Sequence, residues 1–189
     1  MAANRRQLAR AAGLVSILFA VSRLLGLLRE VVIGAQFGTG AELDAYLAAF
    51  RLPDLIFYLV AGGALGSAFI PTFTASLARS ADPWHASAWR LASAVSNLVL
   101  VVTTALAIAA VLLAQPLVAY VIAPGFAPAQ QAFTVTLMRI MLVTPVIFGV
   151  SGIVMGILNS FQHFLAPALA PVVYNLAIIV CTVLFAWTR

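Results

Sequence analysis

Lysine is absent from this chain, acidic residues number only five and histidines two, and one cysteine, Cys181, stands in an apolar run. Each shortage excludes something. A single cysteine forms no internal disulfide and no cysteine-based metal site. His85 and His163 are isolated in connecting segments, with no ligand or triad partner at usable spacing, so neither metal chemistry nor nucleophilic catalysis has a place to begin. No glycine-rich phosphate loop, metal motif or nucleophile elbow occurs, so an enzyme is not expected and no cofactor is called for. Charged residues make up 8% of the chain, against about a quarter in soluble domains, which excludes a soluble globular protein.

What is present is apolar. Hydrophobic residues account for 64% of the 189 positions and the mean hydropathy is +1.12, the composition of an integral membrane protein. A spanning helix needs about 20 mostly apolar residues, so the chain holds roughly five spans with short connections and no sizeable soluble domain. The expected fold is an all-α, polytopic membrane helix bundle. All ten basic residues are arginines, and the formal charge of +5 suits anionic lipid headgroups. Their scatter through membrane sequence gives no support to nucleic-acid binding.

In chain order, Arg5, Arg6 and Arg10 precede the first apolar stretch and place the N-terminus in the cytoplasm by the positive-inside rule. The basic start, apolar run and Ala-Val-Ser end have the outline of a signal peptide. The sequence passes at once into Arg23 and more apolar residues, however, so retention as a first span over 11–37 is expected. Phe37-Gly38-Thr39-Gly40 breaks it on the outer side. The second span covers 42–77, with Pro53 inside it, where a kink is expected near Arg51 to Asp54. Its small-residue stretch from Ala61 to Ala68 includes Gly62-x-x-x-Gly66, a face for close helix packing. Arg79 and Arg90 mark the next connection as cytoplasmic, and Trp84 and Trp89 suit the interface. A third span covers 91–120, and Ala123 to Gln130, with two prolines and a glycine, forms an outer loop. The fourth, 132–158, carries Pro145 and Arg139, the latter either snorkelling outward or facing a polar interior. The fifth covers 165–187.

Charge within these spans is the informative feature. Arg23, Arg29, Glu30, Asp44, Arg51 and Asp54 all sit in apolar sequence between Ser22 and Pro71, and intramembrane charge is a functional hypothesis by default. Glu30 follows Arg23 by seven residues, nearly two turns, so the two share a stripe and are expected to neutralise each other. Arg29 points about 120° away and is left as a donor for an anion. Gly26 is where the helix would bend most cheaply. Asp44 and Arg51 share a stripe on the second span, and Arg51 and Asp54 are spaced for a local i,i+3 pair. Arginine suits phosphate because its planar guanidinium offers paired donors. The alternative is that these charges only hold the bundle together.

The stretches SRLLGLLRE, FGTGAELDAYLAAFRLPDL, GGALGSAFIPTF, IAPGFA and LNSFQHFLAPALAPVVYN resemble, in order and spacing, the lipid II flippase family, MurJ or MviN. That resemblance implies membership of the multidrug/oligosaccharidyl-lipid/polysaccharide exporter superfamily, whose two helical lobes enclose a central cavity. It implies translocation of undecaprenyl-pyrophosphate-linked disaccharide-pentapeptide, lipid II, across the bacterial cytoplasmic membrane by alternating access. Members are much longer, so this chain corresponds to part of the N-terminal lobe, with a C-terminal lobe as its missing partner. Arg23 and Arg29 match the two first-helix arginines that hold the pyrophosphate, Glu30 matches an acidic position, and Asp44 matches the acidic residue opening the second helix. Asp54 stands where asparagine is common. Phe57 and Tyr58 replace arginines and Gly62 replaces a glutamate, with Arg51 two turns earlier as partial compensation. The alternatives to lipid II transport are export of another lipid-linked oligosaccharide, or a membrane scaffold or truncated remnant that transports nothing.

Topology is directly testable. With Cys181 replaced by alanine, a cysteine at position 85 is expected to react with an impermeant thiol reagent from the cytoplasmic side only, and one at position 127 from the outside only. The reverse labelling would invert the orientation.

Overall fold

The computed structural model describes residues 2–38, 40–60, 68–79 and 85–187, with side chains from residue 13 onward. Every regular element among these residues is helical: α1 (Ala2–Phe37), α2 (Ala41–Phe57), α3 (Ile70–Arg79), α4 (Ala86–Leu112), α5 (Ala114–Leu117), a π turn (Val118–Ile122), α6 (Pro128–Met141), α7 (Thr144–Ser160) and α8 (Leu165–Trp187). Gly62, Gly66 and Trp84 lie outside the described residues. Among the described residues, three runs are long and apolar enough to cross a membrane: Ala86–Leu112, Pro128–Ser160 and Leu165–Trp187. The chain is thus an all-α membrane protein.

Proline chemistry sets several boundaries. Proline has no N–H to give the carbonyl four residues before it. Pro116 therefore leaves the Leu112 carbonyl without its helical donor, and α4 ends at Leu112. Pro145 does the same to Met141, where α6 ends, and the Thr144 hydroxyl donates to that carbonyl at 2.7 Å. Pro128 opens α6 at its first position, where a missing N–H costs nothing. Gly38 takes a left-handed φ of 72° just past α1, which only glycine adopts without strain, and its N–H closes onto the Gly34 carbonyl.

The chain divides into two compact units, 1–40 with 161–189, and 41–160. The first pairs α1 with α8. Gly26 faces Asn175, and the rings of Phe37 and Phe185 stack with centroids 6.3 Å apart. Contacts that advance together along both helices mean that α1 and α8 run parallel, in the same direction.

The second unit holds α2 to α7 around two apolar clusters. One joins Ala48, Ala49 and Ile56 of α2 to Ala107 and Ala110 of α4 and to Val135, Met138 and Leu142 on and just after α6. The other joins Phe69 and Phe73 to Ala88, Ala92 and Val99 of α4 and to Ile153 of α7. Alanine recurs because, without a hydrophobic driving force in lipid, helices gain attraction by approaching closely. Glycine does the same on α7. A Cβ on Gly149 would lie 3.0 Å from Val99 Cγ1 and 3.3 Å from Thr103 Cγ2, and one on Gly156 would lie 3.1 Å from the Phe69 ring.

Bulk at that crossing is expected to damage the fold. Gly149→Leu should lower detergent stability by about 1–3 kcal/mol, the usual cost of overpacking. Gly125→Ala, with nothing within 4 Å of the added methyl, should leave it unchanged apart from loop effects. Thermal unfolding of the two purified variants checks the contrast.

Candidate functional site

The six charged positions divide between the two units. Arg23, Arg29 and Glu30 belong to α1, and Asp44, Arg51 and Asp54 belong to α2.

On α2 the buried positions are Ala45, Ala48, Ala49, Pro53 and Ile56, the face turned to α6 and its neighbours. Asp44, Leu47, Arg51, Asp54 and Tyr58 are exposed and recur at intervals of three and four, so they form one stripe along the opposite side. All three charges of this helix that sequence reading singled out thus share a single uncovered face. Arg51 and Asp54 were expected to pair locally, but no ion pair joins them; among the described residues Arg29 with Glu30 is the only one. Exposed i,i+3 partners gain little from contact, so both side chains stay apart. α2 is regular helix on both sides of Pro53.

On α1 the pairing also differs from expectation. Glu30 pairs with Arg29 rather than with Arg23. Arg23 and Glu30 do share a stripe, yet seven residues separate them by roughly 10 Å along the axis. Arg29, the neighbour in sequence, has a side chain long enough to curl round to the carboxylate. Arg23 lies exposed with no polar partner among the described residues. α1 continues unbroken through Gly26.

Arg29 is held from a second direction. Its Nη1 donates to Asn175 Oδ1 of α8 at 3.2 Å, while Nη2 meets Glu30. Two of the five N–H donors of the guanidinium are engaged in this way. The Arg29 side chain remains 26% exposed and that of Glu30 55%, so the guanidinium is both anchored and reachable. Arg29 is therefore not the unpaired cation that the helical spacing implied. Asn175 is the residue that sequence reading missed; its signal was a lone asparagine in an otherwise apolar span, a polar group that needs partners inside the protein.

Arg139, with two orientations open from sequence, directs its Nε to the Val111 carbonyl at 3.4 Å, beside the end of α4. A cation there complements the negative helix terminus, although the Val111 carbonyl also accepts a backbone N–H at the helix end. Gln130 Nε2 donates to the Ala41 carbonyl at 3.0 Å and Gln131 Nε2 to that of Ala123 at 3.1 Å, tying the start of α6 to the start of α2 and to the end of the π turn.

Chemically, the Arg29 guanidinium keeps N–H donors beyond those that Asn175 and Glu30 engage, the kind of group that recognises an anion.

A family model described as Lipid II flippase MurJ matches residues 33–189. The chain is 37% identical over 169 residues to a protein named probable lipid II flippase MurJ from Rhizobium meliloti, covering 88% of this chain and 31% of the relative. It is 35% identical over 161 residues to the protein of that name from Rhizobium tropici, with 84% and 30% covered. A third such protein, from Bdellovibrio bacteriovorus, is 34% identical over 181 residues, with 95% and 34% covered. The chain thus spans about a third of the length of the curated relatives it matches. On the strength of a family match that takes in most of its residues, the chain belongs to the lipid II flippase MurJ family.

Proposed function

We propose that this chain supplies an arginine-bearing part of a transporter that moves lipid II, an undecaprenyl-pyrophosphate-linked peptidoglycan precursor, from the cytoplasmic to the outer leaflet of the bacterial inner membrane. Bond chemistry plays no part. The headgroup is screened from lipid in a polar interior while the polyprenyl tail stays outside, and access alternates between the two faces by movement of one lobe against another. The observation that carries this reading is the Arg29 guanidinium, anchored by Asn175 and Glu30 yet still reachable with donors to spare. A diphosphate provides the paired oxygens that such donors fit. Arg23 on the same helix, and separately the exposed α2 charges Asp44, Arg51 and Asp54, are proposed as further substrate-binding positions.

Orientation follows the same reading. The chain is multi-pass with a cytoplasmic N-terminus and about five spans, over 11–37, 42–77, 91–120, 132–158 and 165–187. The parallel direction of α1 and α8 fits the span count but does not set the side of the N-terminus, because two helices that cross in the same sense need an odd number of crossings between them. The remaining length of the relatives supplies the opposing lobe.

A second reading, export of another lipid-linked oligosaccharide, draws on Phe57 and Tyr58. Phe57 packs edge-on against Phe148 with centroids 5.8 Å apart, and Tyr58 is 70% exposed, so neither position offers a phosphate a cation.

Complementation of a flippase-depleted strain by the gene encoding this chain separates binding from structure. Arg29→Ala is expected to abolish growth at normal protein abundance, and Arg29→Lys to restore it only in part, since ammonium keeps the charge but loses the planar donor pair. Normal growth with Arg29→Ala would rule out the anion-site reading. Loss of growth that tracks loss of protein would make Arg29 structural.

A further inference from the structure

Asn175 is 6% exposed and lies midway along α8, an otherwise apolar helix, with its amide fully committed. Nδ2 donates to the Pro171 carbonyl one turn back at 2.9 Å and to the Ser22 carbonyl of α1 at 3.3 Å. Oδ1 accepts from Arg29 Nη1 at 3.2 Å. This set of partners locks the amide. Turning it over would put Oδ1 against two carbonyl oxygens and the N–H groups against a guanidinium, so every contact would become repulsive. Gly26 leaves the room for it: a Cβ at that position would already touch the amide, at 3.9 Å from Nδ2 and 4.0 Å from Oδ1, and any longer side chain would displace it.

The distribution of charge around Arg29 is equally specific. On the side where the guanidinium meets α8, its partner is a neutral amide. The carboxylate partner, Glu30, is on the exposed side, where solvent weakens its hold. A carboxylate at position 175 would match the amide in size, but it would set an oxygen against the Ser22 and Pro171 carbonyls and cancel the positive charge. An amide fixes the direction of the guanidinium and leaves the charge in place.

We propose that Asn175 is a positioning residue for substrate binding: its locked amide aims Arg29 toward the anionic headgroup while preserving the charge that attracts it. The proposal rests on Arg29 binding the anion, and it adds a determinant on α8 that acts only through Arg29. Preorganisation of this kind raises affinity because the guanidinium does not have to be ordered when ligand arrives.

The test is a double-mutant cycle read by equilibrium binding of radiolabelled farnesyl pyrophosphate, a soluble polyprenyl diphosphate, to the detergent-purified chain. Asn175→Leu is expected to weaken binding roughly fivefold, the scale of one lost hydrogen bond. The same change in an Arg29→Ala background is expected to have no further effect. Asn175→Asp, which keeps size and places a carboxylate on Arg29, is expected to weaken binding on the order of tenfold or more per folded molecule, at reduced folded yield because the new oxygen faces the Ser22 and Pro171 carbonyls. Asn175→Ala, which removes the amide without adding bulk or charge, serves if Asn175→Leu does not fold. Binding unchanged by Arg29→Ala would overturn the anion site itself. If Arg29→Ala weakens binding, wild-type affinity in Asn175→Leu or Asn175→Asp would overturn the positioning role alone. An equal loss from Asn175→Leu with and without Arg29 would do so too, marking Asn175 as packing.

Discussion

Hydrocarbon gives a polar group no partner, and the details of this structure follow from that constraint. Hydroxyls bond within their own helices: Thr72, Thr74, Thr103, Thr134, Thr136, Ser151 and Ser160 each donate to the carbonyl four residues earlier. Where proline interrupts a helix, a side chain fills the vacancy, as the Thr144 hydroxyl does for Met141. Where a helix ends, a longer one reaches across, as Arg139 does to Val111. Asn175 bonds to both helices of its unit at once.

Against this satisfied background, the charges of α1 and α2 stand apart. The six charges between Arg23 and Asp54 that stand out in the sequence share one ion pair among the described residues, and on α2 Asp44, Arg51 and Asp54 lie exposed along one stripe. Lipid would penalise such a face heavily, by several kcal/mol for each charge on an unfavourable estimate. The polar space proposed beside it would remove that penalty.

Much of this was legible in the sequence, and the failures have physical causes. Composition identified the membrane bundle because 20-residue apolar runs admit few other readings. Helical spacing placed Asp44, Arg51 and Asp54 on a shared face, since α2 is regular there. Ion pairing was not legible. Angular phase alone joined Glu30 to Arg23, but the partner was decided by axial distance and by the reach of the Arg29 side chain, neither of which phase encodes. Arg51 and Asp54 met the spacing rule for a pair and formed none, because spacing permits contact without making it favourable. Asn175 escaped notice since its importance lies in a contact 146 residues away in sequence. The break between α6 and α7 was not legible in the sequence, where 132–158 reads as one span through Pro145; the hydroxyl that makes the break tolerable appears only in three dimensions.

The central claim is that the charged face of α2 borders water within the membrane, and spin labelling tests it most directly. Single nitroxides would be placed along α2 at positions 44 to 58 in the chain reconstituted into liposomes, and their collision rates with molecular oxygen and with a water-soluble nickel chelate compared. Nickel access is expected to peak at 47, 51, 54 and 58 and to fall at 45, 48, 49 and 56, a helical period in phase with the charges. Oxygen access peaking at 47, 51, 54 and 58 would mean that this face meets lipid, and the polar interior would have no place on α2.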